Sequence, residues 1–144
     1  MFNEELIAGK VAARNAGKIL MKHFSASDKK VKYKSLNNPV TIADHEADQY
    51  LSEFIGGEFP NDGWLSEETV DTKERLEKSR VWIVDPLDGT KEFIEGISHF
   101  SISIALVEDG HPVIGIVYNP STEEMFYAEK EKGAYLNGSN VKIS

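Results

Sequence analysis

From Asn3 to about Lys22 the small and apolar residues Leu6, Gly9, Ala13, Ala16 and Leu20 return at alternating steps of three and four, the repeat that lines one face of an α-helix. The next stretch, Ser25 to Pro39, carries Lys29, Lys30, Lys32 and Lys34, ends in Asn37-Asn38-Pro39, and reads as a mobile loop. A second helix is predicted from an N-cap at Thr41, with Ala43, Ala47, Tyr50, Leu51, Phe54 and Ile55 as its buried stripe and Gly56-Gly57 as its stop. Asp62-Gly63 marks a turn, Trp64-Leu65-Ser66 a short extended piece, and Lys73 to Ser79 a charged, exposed helical segment.

Beyond Arg80 the pattern changes to that of strands. Val81-Trp82-Ile83-Val84 is a continuous apolar run that Asp85-Pro86 is expected to end. Phe100 to Leu106 alternates large and small residues, so Phe100, Ile102, Ile104 and Leu106 share one face, the face expected to meet the helices. Asp109-Gly110 is a favoured hairpin pair, and Val113 to Tyr118 makes the returning strand before Asn119-Pro120. Met125 to Ala128 and Ala134 to Leu136 read as further strands, with Asn137-Gly138 turning into Val141-Lys142-Ile143.

Two helices followed by a run of strands predict an α+β fold, two helices packed on a mainly antiparallel sheet. At 144 residues and 40% hydrophobic content the chain is sized for a single domain, 1–144. Two helices cover one face of such a sheet, so the second layer is expected from elsewhere in the protein or from a partner, a second copy included.

Charge narrows the functions open to such a domain. Sixteen Lys and Arg against 24 Asp and Glu leave a net charge of -8, which excludes a nucleic-acid polymer bound through a broad basic surface. An anionic substrate would need local help, and divalent metal ions supply it by reversing the sign of an acidic pocket. Cysteine is absent, which removes disulfides, thiolate metal sites and a thiol nucleophile. No signal-like N-terminus or bilayer-length apolar run is seen, so no membrane partner is expected and a cytoplasmic location is.

The candidate chemistry lies in Asp85-Pro86-Leu87-Asp88-Gly89-Thr90 at the end of a predicted buried strand. Magnesium takes oxygen ligands, usually one or two carboxylates with positions left for water and substrate phosphate. Asp85 and Asp88, three residues apart around a bend at Pro86, could face one ion or a pair. Gly89 permits close backbone approach, so the amides of Gly89 and Thr90 could donate to a phosphate oxygen, and the Thr90 hydroxyl could position a water. The plainer alternative is a turn after a strand, with Thr90 capping locally. Glu67-Glu68, eighteen residues ahead of Asp85, could complete a metal site or form a solvated acidic pair. Asp44 in Thr41-Ile42-Ala43-Asp44 has the spacing of a capping box and could also hydrogen-bond Thr90. His23, His45, His99 and His111 show no paired ligand spacing, which argues against zinc.

Taken in order, Pro39-Val40-Thr41-Ile42-Ala43-Asp44, Leu65-Ser66-Glu67-Glu68, Trp82 through Thr90, Gly115-Ile116-Val117-Tyr118 and Gly133 through Gly138 resemble the inositol monophosphatase superfamily, which includes 3'(2'),5'-bisphosphate nucleotidases and some fructose-1,6-bisphosphatases. The resemblance covers essentially the whole chain. It implies that this is the N-terminal half of that fold and that the activity is magnesium-dependent hydrolysis of a small phosphomonoester, sensitive to lithium. It implies that Glu67, Asp85 and the Leu87 carbonyl bind a first Mg2+ and that Asp85 and Asp88 share a second. Thr90 and Asp44 would orient the attacking water, with Glu68 in support. The family's second domain, with the aspartate of a Trp-Asp motif, has no counterpart here, so the chain alone is expected to bind one metal weakly and to turn over slowly or not at all. A non-catalytic or split half that needs its partner domain is the alternative. The haloacid-dehalogenase type is disfavoured, because Pro86 and Leu87 separate the aspartates where that motif has one residue. Lys91-Glu92-Phe93-Ile94 looks like the bisphosphate nucleotidases and His99 through Ile104 like the inositol phosphatases, so the ester remains open.

Overall fold

In the computed structural model, residues 2–24, 31–35, 38–66 and 73–141 are described, with the backbone alone for 31–35, 38–41 and 74. Helix α1 runs Asn3–Phe24, with Glu4 and Glu5 in its first turn and Lys22 and His23 in its last, the arrangement that complements the helix dipole. Its buried face is Gly9, Ala12, Ala13, Ala16, Gly17 and Leu20, while Leu6 is only half-buried. The residues are small because the helix lies close to the sheet. A Cβ on Gly9 would stand 2.5 Å from Ile116 Cδ1, and one on Gly17 would stand 2.7 Å from the Tyr118 ring.

The stretch expected as a loop contains an antiparallel hairpin, β1 (Val31–Ser35) with β2 (Asn38–Thr41), Val31 opposite Thr41. Val31, Tyr33 and Ser35 alternate with lysines, a period-two signal that the lysine content masks. Helix α2 (Ile42–Glu58) follows directly and runs through Gly56 and Gly57, where the predicted stop lies. Neither glycine has a neighbour for a Cβ within 4 Å, so the cost of glycine in a helix is paid in solvent without disturbing the packed turns. Two acids, Asp44 and Asp48, join Ala43, Ala47, Leu51 and Ile55 on the buried stripe, and Tyr50 and Phe54 flank it half-buried. The charged segment after the second helix is a 3-10 turn, Glu74–Glu77.

Among the described residues one sheet has seven strands in chain order: β3 (Gly63–Ser66), β4 (Arg80–Asp88), β5 (Ser101–Glu108), β6 (His111–Asn119), β7 (Glu124–Glu129), β8 (Gly133–Leu136) and β9 (Ser139–Val141). β3 pairs with β4 in parallel and every later pair is antiparallel. Asp109-Gly110 and Asn137-Gly138 both have positive φ at both positions, as the tight hairpin turn requires. Residues 142 and 143 of the last predicted strand lie outside the described residues.

Trp82, Val84, Ile102, Ile104, Leu106, Ile114 and Ile116 are buried on the helix-bearing face, with α1 on β5 and β6 and α2 on β4. Arg80 ties the layers together at one end. Its Nη2 donates to Glu5 Oε2 at 2.9 Å, and its Nε lies 3.8 Å from Asp62 and from Glu108. Burial alone would push the guanidinium pKa down, but the hydrogen bond with Glu5 and the charges of Asp62 and Glu108 outweigh it and hold it up.

The opposite face carries no helix among the described residues. Across it run Ile83, Ala105, Gly115, Ala128, Ala134 and Val141 in register, and beside them Asp85, Ser103, Val117 and Phe126. Ile83, Val117, Phe126 and Val141 are exposed at 37–44%, around a groove of about 790 Å³. No described helix is long and apolar enough to cross a membrane.

Candidate active site

The β4 strand does not end at Asp85-Pro86 as the proline predicts; it continues to Asp88 through a bulge. Asp85 pairs with Ser103 and Asp88 with Ser101, so three steps on β4 match two on β5. Proline is tolerated there because a bulge asks for no ladder hydrogen bond from it. The consequence is one of parity. In a regular strand residues i and i+3 point to opposite faces, but the extra residue returns Asp88 to the face of Asp85. That face is the one without helices. Leu87, between the aspartates, is buried at 4% exposure, and its amide donates to Asp85 Oδ1 at 3.3 Å.

Gly89 follows at φ +93°, and a Cβ there would stand 2.6 Å from the His99 carbonyl oxygen. The sharp bend starts α3, Thr90–Glu95, a short helix closed by Gly96 at φ +79°. The Thr90 hydroxyl donates to the Leu87 carbonyl oxygen at 3.2 Å. Phe93 of α3 meets Phe100 edge-on at 5.1 Å between ring centres, and Phe24 at the end of α1 packs against both. An aromatic cluster thus seats α3, and with it Gly89-Thr90, against the start of β5.

Asp44 lies in the first turn of α2, 3% exposed. The parallel register of β3 on β4 ends with Ser66 opposite Val84, and the next residues in the sequence are Glu67 and Asp85 respectively. Glu67 and Glu68 themselves lie outside the described residues. Among the described residues no three metal-ligating side chains form a group.

Further oxygen donors stand among apolar surroundings. Asp85 lines the open groove with Ser66 and Ser103. Asp88 and Gly89 line a neighbouring cavity of about 560 Å³ with Glu92, His99, Ser101, Asn119 and Glu124. Asp85, Asp88 and the Leu87 carbonyl could offer only oxygen donors, a chemistry that would suit magnesium rather than zinc. The sequence pattern does not single out Ser66, Asp48, Glu92 or Glu124; the nearest signal is an acid, Asp48, at a stripe position of α2.

The family profile of the inositol monophosphatase family matches residues 3–144. A Thermotoga maritima protein named fructose-1,6-bisphosphatase/inositol-1-monophosphatase is 37% identical over 131 residues, 91% of this chain and 50% of its own length. A histidinol-phosphatase of Chlorobaculum parvum is 36% identical over 132 residues, 92% of this chain and 50% of its own. The crystal structure of extragenic suppressor protein suhB from Bartonella henselae superposes with a TM-score of 0.90 at 32% identity, over 98% of this chain and 55% of that one. The chain belongs to the inositol monophosphatase family and spans about half the length of the relatives it matches.

Proposed function

We infer that this chain is the metal-binding half of a magnesium-dependent phosphomonoester hydrolase. The observation that carries this is the bulge in β4, which turns Asp85 and Asp88 to the same face of the sheet. A strand end built only as a turn has no need to turn two like charges to one face, where they repel each other.

Asp85, Asp88, the Leu87 carbonyl and Glu67 would hold Mg2+, which when bound supplies charge neutralisation and a more acidic water. The residues of the chain do the rest. Gly89 and Thr90 bind the phosphate through their backbone at the bend. Thr90 and Asp44 orient the water, and Glu68 supports it. No covalent intermediate is required. The substrate is a small phosphorylated molecule of the inositol-phosphate or 3'(2'),5'-bisphosphate nucleotide type; the relatives' names span several esters, so identity does not choose among them. Lithium should inhibit.

The open apolar face would be covered by the second half that the relatives possess or by a second copy of the chain. Analytical ultracentrifugation separates these: a dimer dissolved by Phe126→Lys favours the second copy, and a monomer rules it out.

The test is phosphate release from inositol 1-phosphate, 3'-phosphoadenosine 5'-phosphate and fructose 1,6-bisphosphate, with and without magnesium, alongside a metal titration. Asp85→Asn should abolish metal binding and lower any turnover by about a hundredfold or more. Metal binding untouched by Asp85→Asn would refute the assignment. Metal binding without turnover on any ester would make this chain a non-catalytic half.

A further inference from the structure

A cleft of about 630 Å³ opens between α1 and the strands β6 to β8, a volume suited to a small molecule. Its helix wall carries Lys10, Arg14 and Lys18, spaced four residues apart and so neighbours on one stripe. Its floor is aromatic and apolar. Tyr118 pairs with Met125 and Ile116 with Tyr127, which puts Tyr118, Met125 and Tyr127 on the face that α1 covers. The Tyr118 ring lies so close to α1 that a Cβ on Gly17 would stand 2.7 Å from it. Asp85 is on the opposite face of the sheet, so this cleft is not part of the candidate active site.

Helix stability gives no reason for the stripe, because like charges four residues apart on a helix repel. Acids are plentiful in a chain with 24 of them against 16 Lys and Arg, and Lys22, Arg80 and Lys132 are paired with Glu46, Glu5 and Glu129. Lys10, Arg14 and Lys18 have no carboxylate ion pair among the described residues. Lys10 is held in another way: its Nζ stands 3.5 Å from the centre of the Tyr127 ring, which stacks on Tyr135 at 5.4 Å. A ring face holds a cation without neutralising it, so the ammonium keeps its charge for an anion. Arg14 directs its charge to the same cleft. The Tyr118 hydroxyl is raised in pKa by burial and by Glu123, and Arg14 opposes that rise.

We propose that this cleft is a second ligand site, for a nucleoside phosphate: Lys10, Arg14 and Lys18 take the phosphate, Tyr118 and the methionines Met21 and Met125 take the base, and Glu123 accepts from a ribose hydroxyl. Arginine grips phosphate oxygens in pairs and lysine adds point charge. A flat base suits an aromatic and thioether floor. Glu123, exposed at the rim, repels a bare anion and favours one that also brings a hydroxyl donor. None of this depends on the metal assignment.

The probe is AMP, added to the full chain in EDTA, with inorganic phosphate and adenosine as its two halves; calorimetry reads affinity and amide resonances read the place. AMP should shift Gly17, Tyr118 and Gly138, leave Leu87, Gly89 and Thr90 where they are, and bind at least about tenfold more tightly than either half, because the second contact becomes intramolecular. Arg14→Gln combined with Lys18→Gln, both at exposed positions, should weaken AMP about tenfold and leave adenosine within about twofold of the parent. Lys10→Met keeps the apolar stem, removes the charge and should act in the same direction, which covers the case of a double variant that does not fold. Phosphate binding as tightly as AMP would make this a general anion site and overturn the nucleotide class. Shifts confined to Leu87, Gly89 and Thr90, no saturable binding at millimolar AMP, or parental affinity in the charge variants would overturn the site itself.

Discussion

Gly89 presses its backbone against His99 so closely that a Cβ would lie 2.6 Å from the His99 carbonyl oxygen and 3.1 Å from Phe100 Cα. Both neighbours are backbone atoms and cannot rotate away, and Gly89 has φ +93°, where side chains are strained. Gly89→Ala should therefore cost more than about 2 kcal/mol, the left-handed penalty plus the displacement of β5 from the bend. Urea unfolding checks it; a loss under about 0.5 kcal/mol would mean that the bend yields easily.

Thr90 closes the same bend from the other side through its bond to the Leu87 carbonyl. Thr90→Val keeps the shape and deletes the donor, so a loss of about 1 kcal/mol is expected, with Thr90→Ser close to the parent. Equal stability of the valine and serine variants would show that the hydroxyl contributes nothing to the bend.

Two helical glycines should respond in opposite directions to the same substitution. A Cβ on Gly17 would stand 2.7 Å from the Tyr118 ring and 3.0 Å from Pro120, so the overpacking cost of about 1–3 kcal/mol should exceed the helix-propensity gain of about 1 kcal/mol. Gly56 faces open space, and Gly56→Ala should keep that gain whole. Thermal unfolding of the two variants reads the signs directly, and a stabilised Gly17→Ala would contradict the close approach of α1 to β6.

Acid should loosen the contact between the end of α1 and α2. The His23 imidazole, 3.1 Å from Glu46, and Lys22, 3.2 Å away, draw the Glu46 carboxyl below the usual glutamate range. A depressed carboxyl stabilises the fold above its unfolded value and loses that contribution as pH falls through the folded one. Glu46→Gln should thus be slightly less stable than the parent near neutrality, by no more than about 1 kcal/mol for so exposed a pair, and the difference should close in acid. A difference that widens below the glutamate range would reverse the sign of the linkage.

The hairpin turns and the buried face of β5 were legible because their signals are local: Asp-Gly and Asn-Gly pairs, and a period of two from Phe100 to Leu106. Elements whose reason is tertiary were not. β4 passes Pro86 because β5 accommodates a bulge, α2 passes Gly56-Gly57 because its earlier turns are packed, and α3 is a single short helix seated by Phe24 and Phe100. The pairing of β1 with β2 hid behind the lysines of β1. Of the candidate site, the acids could be named from the motif, but the shared face of Asp85 and Asp88 depends on the bulge.

The seat of α1 on β6 also bears on the order in which the molecule is made. Gly9 meets Ile116, more than a hundred residues later in the chain, whereas β5 to β9 are joined by successive tight turns. Closing the long loop costs more entropy than closing the short ones, and α1, which precedes β6 in the chain, has nothing to bury its alanine face against until β6 exists. Refolding should protect the amides of β5, β6 and β7 before those of α1 in pulsed hydrogen exchange, and earlier protection of α1 would refute that order. The meander is then the template, and α1, although made before it, is among the last parts to come to rest.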